Sequence, residues 1–377
     1  MNLVSPFFFR CTVLGIWGSL ISWTVLPCVS QELSPKPGFS SDDGNSEPSA
    51  TYRKALETFS GPTVIRFATR ERSDFGVWAI ADTVEEHGIV LDWNEKKLTL
   101  LRSNSDEPTS IVTRSIYQFT HSFRSNVVTE LQSNYAAGKF QEVMASAPKV
   151  IGSRAEGIKL ARWEQKYVLS MLIESCKSLD RWDAACTLFV SLANESPPDL
   201  LAASIPIPWF DSVSEIRDRD KIRSNAILWL KEPNELVQLL GACWLLDGEL
   251  RGEAVNSLKK LSRESKHPLV GQFASAQLWR TMPPTEFVKR QLESARSLRD
   301  SVFLPAQAGP SLLLAERCNR GSEPELALQE WLRVVTIHPE QRALAHHAKK
   351  SAIELLRSTD RDEMASQIES LAGKNLK

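Results

Sequence analysis

Past about Thr120, apolar residues recur every third and fourth position and hardly any run favours strand, whereas before it they fall in short stretches. The first pattern gives a helix one apolar face; alternation does the same for a strand. Between Thr63 and Phe119 the runs TVIRFAT, FGVWAIADTV, GIVLDW, KLTLLR and SIVTRSIYQF are rich in β-branched and aromatic residues. Polar EEHG, NEK and SNSDEPTS separate them, so five strands joined by turns are expected. In GIVLDW, Ile89, Leu91 and Trp93 should share one face and Val90, Asp92 and Asn94 the other, as in a half-buried strand. The pattern predicts an α+β multidomain chain: a small antiparallel β-barrel or curled sheet over 61–120, then an all-α domain over 121–373. Gln31 to Ala50 is rich in Ser, Pro, Gly and acid and cannot bury enough surface to offset its ordering, so 31–60 reads as a flexible linker. TYRKALETF offers a short helix within it before SGP breaks the pattern.

The helical part repeats. Glu323 to Pro339 places Ala327, Trp331 and Val334 at steps of four and three before a terminating proline, with Ala315 upstream. The same offsets give Ile173, Ala185, Phe189, Leu192 and Pro197, and then Ala242, Ala254, Leu258 and Leu261, with Pro268 two places late. Three weaker units are Leu131, Val143, Ala147, Val150; Ala276, Val288, Leu292, Ala295; and Ala352, Met364, Ile368, Leu371. Slim residues facing each other let two antiparallel helices approach, and the larger ones fill the groove to the next pair. This arrangement resembles the tetratricopeptide repeat, a helix pair of about 34 residues stacked into a solenoid. Two departures are expected to matter. Ala185 and Ala254 are too far apart for one repeat, so the interval holds an irregular pair or an insertion that bends the stack. The family's Trp, Gly and Tyr markers in the first helix are mostly absent. The strand region is similar to SH3-like barrels, which would make it an adaptor module.

The N-terminus carries Arg10, an apolar run from Cys11 to Leu26, then Pro27 and small residues at Cys28 and Ser30. These features predict a signal peptide over 1–30, cut after Ser30, and a secreted or periplasmic chain. The alternative is an uncleaved N-terminal membrane anchor, since the run is barely shorter than a spanning helix.

Charge adds little attraction. Lys and Arg number 45 against 46 Asp and Glu, a net charge of −1, which excludes a general pull toward nucleic acid. Beyond the N-terminus lie Cys176, Cys186, Cys243 and Cys318, whose spacings fit no metal pattern; buried packing is expected, with a disulfide as the alternative. Adjacent His346 and His347, with His338 nearby, diverge on a helix, so no metal is expected. Asp82, Glu85, Glu86 and His87 are read as exposed turn chemistry, and IRDRDKIR as a solvated helix face. SIPIPWF (Ser204 to Phe210) is held extended by two prolines and presents four large apolar side chains. Packing across the stack is expected of it, with a partner-binding patch as the alternative.

No catalytic constellation and no cofactor motif stands out, so the chain is not expected to be an enzyme. The resemblance to tetratricopeptide repeats implies a ligand groove lined by Gln132, Tyr135, Tyr167, Glu174, Lys177, Gln277, Arg280, Glu316, Asn319, His346 and Lys349. It implies a protein or peptide partner, with no nucleic acid, and membrane contact only through an uncleaved N-terminal segment. The competing readings are an envelope or cell-wall-acting hydrolase, with its site between sheet and solenoid, and a purely structural envelope component.

Overall fold

The β-branched runs form strands, though joined differently from expectation. A computed structural model describes residues 48–58, 61–72, 78–152, 160–210 and 216–375; the expected export segment and most of the linker lie outside the described residues. The strands are β1 (Thr63–Arg72), β2 (Trp78–Trp93), β3 (Lys97–Leu101), β4 (Thr109–Val112) and β5 (Ile116–His121). They form one open antiparallel sheet in the order β4-β3-β2-β1-β5. NEK is a turn as expected, its Asn94 side chain accepting from the Lys96 and Lys97 backbone N–H groups. EEHG is not a turn. It continues β2, which pairs first with β1 and then, past Gly88, with β3. Its charges serve as cross-strand partners: Glu85 meets Arg66 at 2.6 Å and Glu86 meets Arg102 at 2.5 Å. Gly88 permits close approach, since a Cβ there would stand 2.4 Å from the Leu101 carbonyl oxygen. The last expected strand is cut in two by a 3-10 turn at Thr113–Ser115.

A register shift between Val90 and Asp92 changes the faces of β2. Ile89 and Leu91 lie under Tyr52 and Ala55 of α1 (Ala50–Thr58), the short helix anticipated in the linker. Val90 and Trp93 turn the other way, into a core shared with Leu98, Leu100, Ile111 and Phe119. Trp163 and Leu201 from the helical part complete that core, so sheet and helices belong to one compact unit, 43–377. A strand expected to be half buried is thus covered on both faces.

The helices pair in sequence: α2 (Asn126–Ala136) with α3 (Phe140–Gly152), α4 (Arg162–Ser178) with α5 (Trp182–Ala193), and α8 (Glu235–Leu245) with α9 (Arg251–Glu264). Beyond these come α10 (Pro268–Gln277) with α11 (Pro284–Ser301), α12 (Ala308–Arg320) with α13 (Pro324–Ile337), and α14 (Arg342–Ser358) with α15 (Asp362–Asn375). Ile173, Ala185, Ala242, Ala254, Ala315 and Ala327 are fully buried where their helices pair. The column slips in two units. Phe287 is fully buried while Val288 and Leu292 are half exposed, and Ala365 is fully buried while Met364 is 44% exposed. The slip does not run the length of each second helix, for Ala295 and Ile368 of the same columns are buried as expected.

The long interval holds one irregular pair. Its second helix is α7 (Arg219–Trp229), packed on α5 behind and α8 ahead. Gly241 of α8 makes room for it, because a Cβ there would lie 2.6 Å from the Leu230 backbone nitrogen. In place of a first helix come the single turn α6 (Asp199–Ala202) and the irregular Ser204–Phe210, which opens in turns at Ser204, Ile205 and Ile207. The array also closes on itself. Helix α14 packs on α4, and the Arg342 guanidinium donates to the Ala136 carbonyl while lying 5.5 Å from the centre of the Phe140 ring. Among the described residues no helix is long and apolar enough to cross a membrane.

Candidate functional site

Two prolines keep Ser204–Phe210 from pairing as strand or helix, and the inner helices supply what its backbone lacks. The Pro206 carbonyl accepts from Trp244 Nε1 of α8 at 2.9 Å, and the Pro208 carbonyl from Gln277 Nε2 of α10 at 2.9 Å. Trp209 stacks edge-on against Phe273 of α10, 4.9 Å between ring centres, and lies on Gly309 of α12, where a Cβ would come within 2.2 Å of the indole. Phe210 stacks on His347 of α14 at 4.9 Å. The segment thus crosses α8, α10, α12 and α14 in turn, with Ile205, Ile207 and Trp209 buried. The chain's own residues thus cover this face of the four helices.

The eleven residues anticipated for a ligand groove divide accordingly. Gln277 grips the segment, and Arg280 orients it by donating to its Oε1 at 3.1 Å while also binding the Cys243 carbonyl and, at 2.5 Å, Asp247. Glu316 holds His347, 3.3 Å away, under Phe210. A second group lies where α2 meets α4. Lys177 pairs with Glu174 at 2.7 Å, both largely buried. Burial raises the Tyr135 hydroxyl, with the Glu174 charge adding to it; burial pushes Tyr167 up to about 12 despite its bond to Gln132. Lys349 bonds the Glu369 carbonyl, while Asn319 and His346 are exposed. The inner face therefore holds no single constellation: Gln277 and Arg280 act together, Glu316 acts through His347, and the remainder serve the closure or the rim.

Where sheet meets helices, Thr63 Oγ1 lies 2.7 Å from His121 Nδ1, and His121 Nε2 lies 3.0 Å from Glu164 Oε1. A hydroxyl, an imidazole and a carboxylate in series resemble an activated nucleophile. Their exposures of 0%, 2% and 2%, inside walls of Phe119, Phe123 and Trp163, seal the hydroxyl from any substrate. The series is a fastening. With the proton on Nε2, the imidazole donates to Glu164 and accepts from Thr63. The other Glu164 oxygen accepts from the Ala161 backbone N–H at 2.6 Å, half of a capping box because Ala161 offers no side-chain acceptor. Glu164→Leu is expected to lower stability by about 3 kcal/mol, since it orphans both donors, whereas Glu164→Gln costs about 1 kcal/mol. Chemical denaturation of the two variants measures the difference.

The seam also carries an open cleft of about 480 Å³ between the Asn94–Lys96 turn, Arg162 and Lys166 of α4, and Asn194–Ser196 after α5. Arg162 and Glu195 pair at 2.9 Å across it. Lys166 at its wall is only 8% exposed, and burial lowers its ammonium below the ordinary lysine range, against the more distant charges of Glu195, Asp92 and Glu95.

No protein family, curated protein or solved structure matches the chain. Cys176, Cys186, Cys243 and Cys318 are unpaired and fully buried, and desolvation pushes Cys176 and Cys318 up to about 11, which suits packing rather than nucleophilic thiols. Among the described residues no three His, Cys, Asp or Glu side chains gather as a metal site. His338 is buried near Glu340, His346 is exposed and His347 lies under Phe210. His121, Glu164 and Lys166 were not singled out from the sequence. His121 had a signal, for it stands at a buried alternate position between Phe119 and Phe123.

Proposed function

We propose that the chain is an exported, non-catalytic scaffold for a protein or peptide partner, built from a tetratricopeptide-like array and an SH3-like sheet. The supporting observation is how the inner helices hold a non-helical segment of chain. Donors from successive pairs take the carbonyls of Pro206 and Pro208, while intervening side chains enter apolar slots. Peptide-binding surfaces combine main-chain bonds and alternate pockets in this way. Magnitudes decide whether a partner replaces the resident segment. Burying each of Ile205, Ile207 and Trp209 is worth about 2 kcal/mol or more. Expelling them would cancel most of the roughly 8 kcal/mol that a micromolar peptide supplies. The partner therefore docks outside the filled face, on the rim at Asn319 and His346 or in the seam cleft.

The competing hydrolase would draw on Glu95 and Glu195 in that cleft. Pairing of Glu195 with Arg162, both open to solvent, favours binding, since acid–base carboxylates work best in drier, apolar settings. A photo-crosslinking residue at Asn194, Asn319 or His346 of the full chain is expected to give one discrete adduct in its own host, and the recovered chain is expected to begin at Gln31. Absence of an adduct from all three positions, or hydrolysis of cell-wall fragments by the purified chain, overturns the reading.

A further inference from the structure

The seam cleft contains a cation with no partner. Lys166 is more than nine-tenths buried, yet its ammonium has neither a hydrogen bond nor an ion pair among the described residues. Other strongly buried basic side chains are tied to carboxylates: Lys177 to Glu174, Arg280 to Asp247, Arg299 to Glu330. The stem is covered while the ammonium meets the open cleft without a partner, and a cation so held leaves room for a counter-charge to arrive from outside. The cleft's own acids do not serve. Glu195 is engaged by Arg162, and the lining sets Lys96, Arg162 and Lys166 against Glu95 and Glu195, one more cation than carboxylates. Asn194 and Ser196 place a carboxamide and a hydroxyl in the lining, and the volume of about 480 Å³ admits a carboxylate together with the residue that carries it.

We infer that this cleft is a docking site for a carboxylate presented by a partner chain, with Lys166 as its counter-charge. It rests on the scaffold reading for the identity of the occupant as a protein, and its own test needs only purified chain. Two probes separate the sources of the carboxylate: trialanine carries it at a C-terminus, and acetyl-aspartate methylamide carries it on a side chain. The lysine ¹³Cε resonance that disappears in Lys166→Met reports the site. On adding either probe this resonance is expected to shift saturably and its titration midpoint to rise, because the carboxylate favours the ammonium. Trialanine amide or acetyl-asparagine methylamide, which lack the charge, should leave it unmoved. By isothermal titration calorimetry with the same probes, since both variants lack the reporting resonance, Lys166→Met, which retains the stem's packing, is expected to weaken binding by about tenfold or more, while Lys166→Arg stays within a few-fold of the parent. Circular dichroism and the unchanged spectrum of the helical core establish that both variants fold. Equal shifts from the neutral probes, parental affinity in Lys166→Met, or no saturable shift from either carboxylate overturns the proposal. That last result alongside an adduct from Asn319 or His346 removes this site and leaves the scaffold reading standing.

Discussion

Trp209→Ala is expected to lower stability by about 4 kcal/mol, the range for emptying a buried aromatic site, and to lower the melting temperature by on the order of 10 °C. The indole is 3% exposed, held edge-on by Phe273 and seated on the bare backbone of Gly309. Two inner helices therefore lose a shared contact at once, and the main-chain bonds at Pro206 and Pro208 are left to position the segment alone. Gly309→Ala tests the same slot from the other side. Its Cβ would fall 2.2 Å from the ring, so the indole must leave. Each single change is expected to be costly, but the double variant should be little worse than Trp209→Ala, because residues sharing one cavity do not add. Additive losses in denaturant unfolding would mean that the indole does not occupy that slot. A melting temperature within about 2 °C of the parent for Trp209→Ala would show that the segment does not hold the inner face together.

The reach of sequence reasoning varies across the molecule for physical reasons. The helix pairs were legible because a slim residue at each crossing recurs at a fixed offset from larger ones, a local and periodic signal; Ala185, Ala254 and Ala327 are all fully buried. The strand region was legible in composition but not at its joints. A run such as EEHG looks the same in a turn and in a strand whose charges meet Arg66 and Arg102 across the sheet, and only pairing distinguishes them. Trp93 changed faces because of one register shift, which alternation cannot anticipate. What covers the inner helices was not legible, because it depends on contacts from Pro208 to Gln277 and from Trp209 to Gly309, far apart in sequence. Lys166 gave no signal at all, since a single lysine on a helix becomes unusual only after the sheet's turn closes over it.

Arg299→Met is expected to cost about 4 kcal/mol, comparable to the loss at Trp209 but by a different mechanism. Arg299 and Glu330 are 6% and 3% exposed and join α11 to α13 through an ion pair, while Asp300 accepts from the same guanidinium through both oxygens at 3.0 Å. Methionine retains the stem's packing and removes only the charge. Glu330 is then a buried carboxylate without its cation, and Arg333 is turned toward Asp300, 3.5 Å away, rather than toward it. The double variant Arg299→Met, Glu330→Leu removes both charges and is expected to return to within about 1 kcal/mol of the parent, because apolar residues avoid the desolvation that the pair only offsets. Equilibrium unfolding of the parent, both singles and the double completes a cycle whose coupling should exceed about 2 kcal/mol. A coupling near zero would mean that the pair is hydrated in solution and that α11 and α13 are joined by their apolar faces alone. The asymmetry between the singles gives the cycle its wider use: Arg299 keeps Asp300 when Glu330 is removed, whereas Glu330 loses its cation when Arg299 is, so Glu330→Leu should cost less than Arg299→Met.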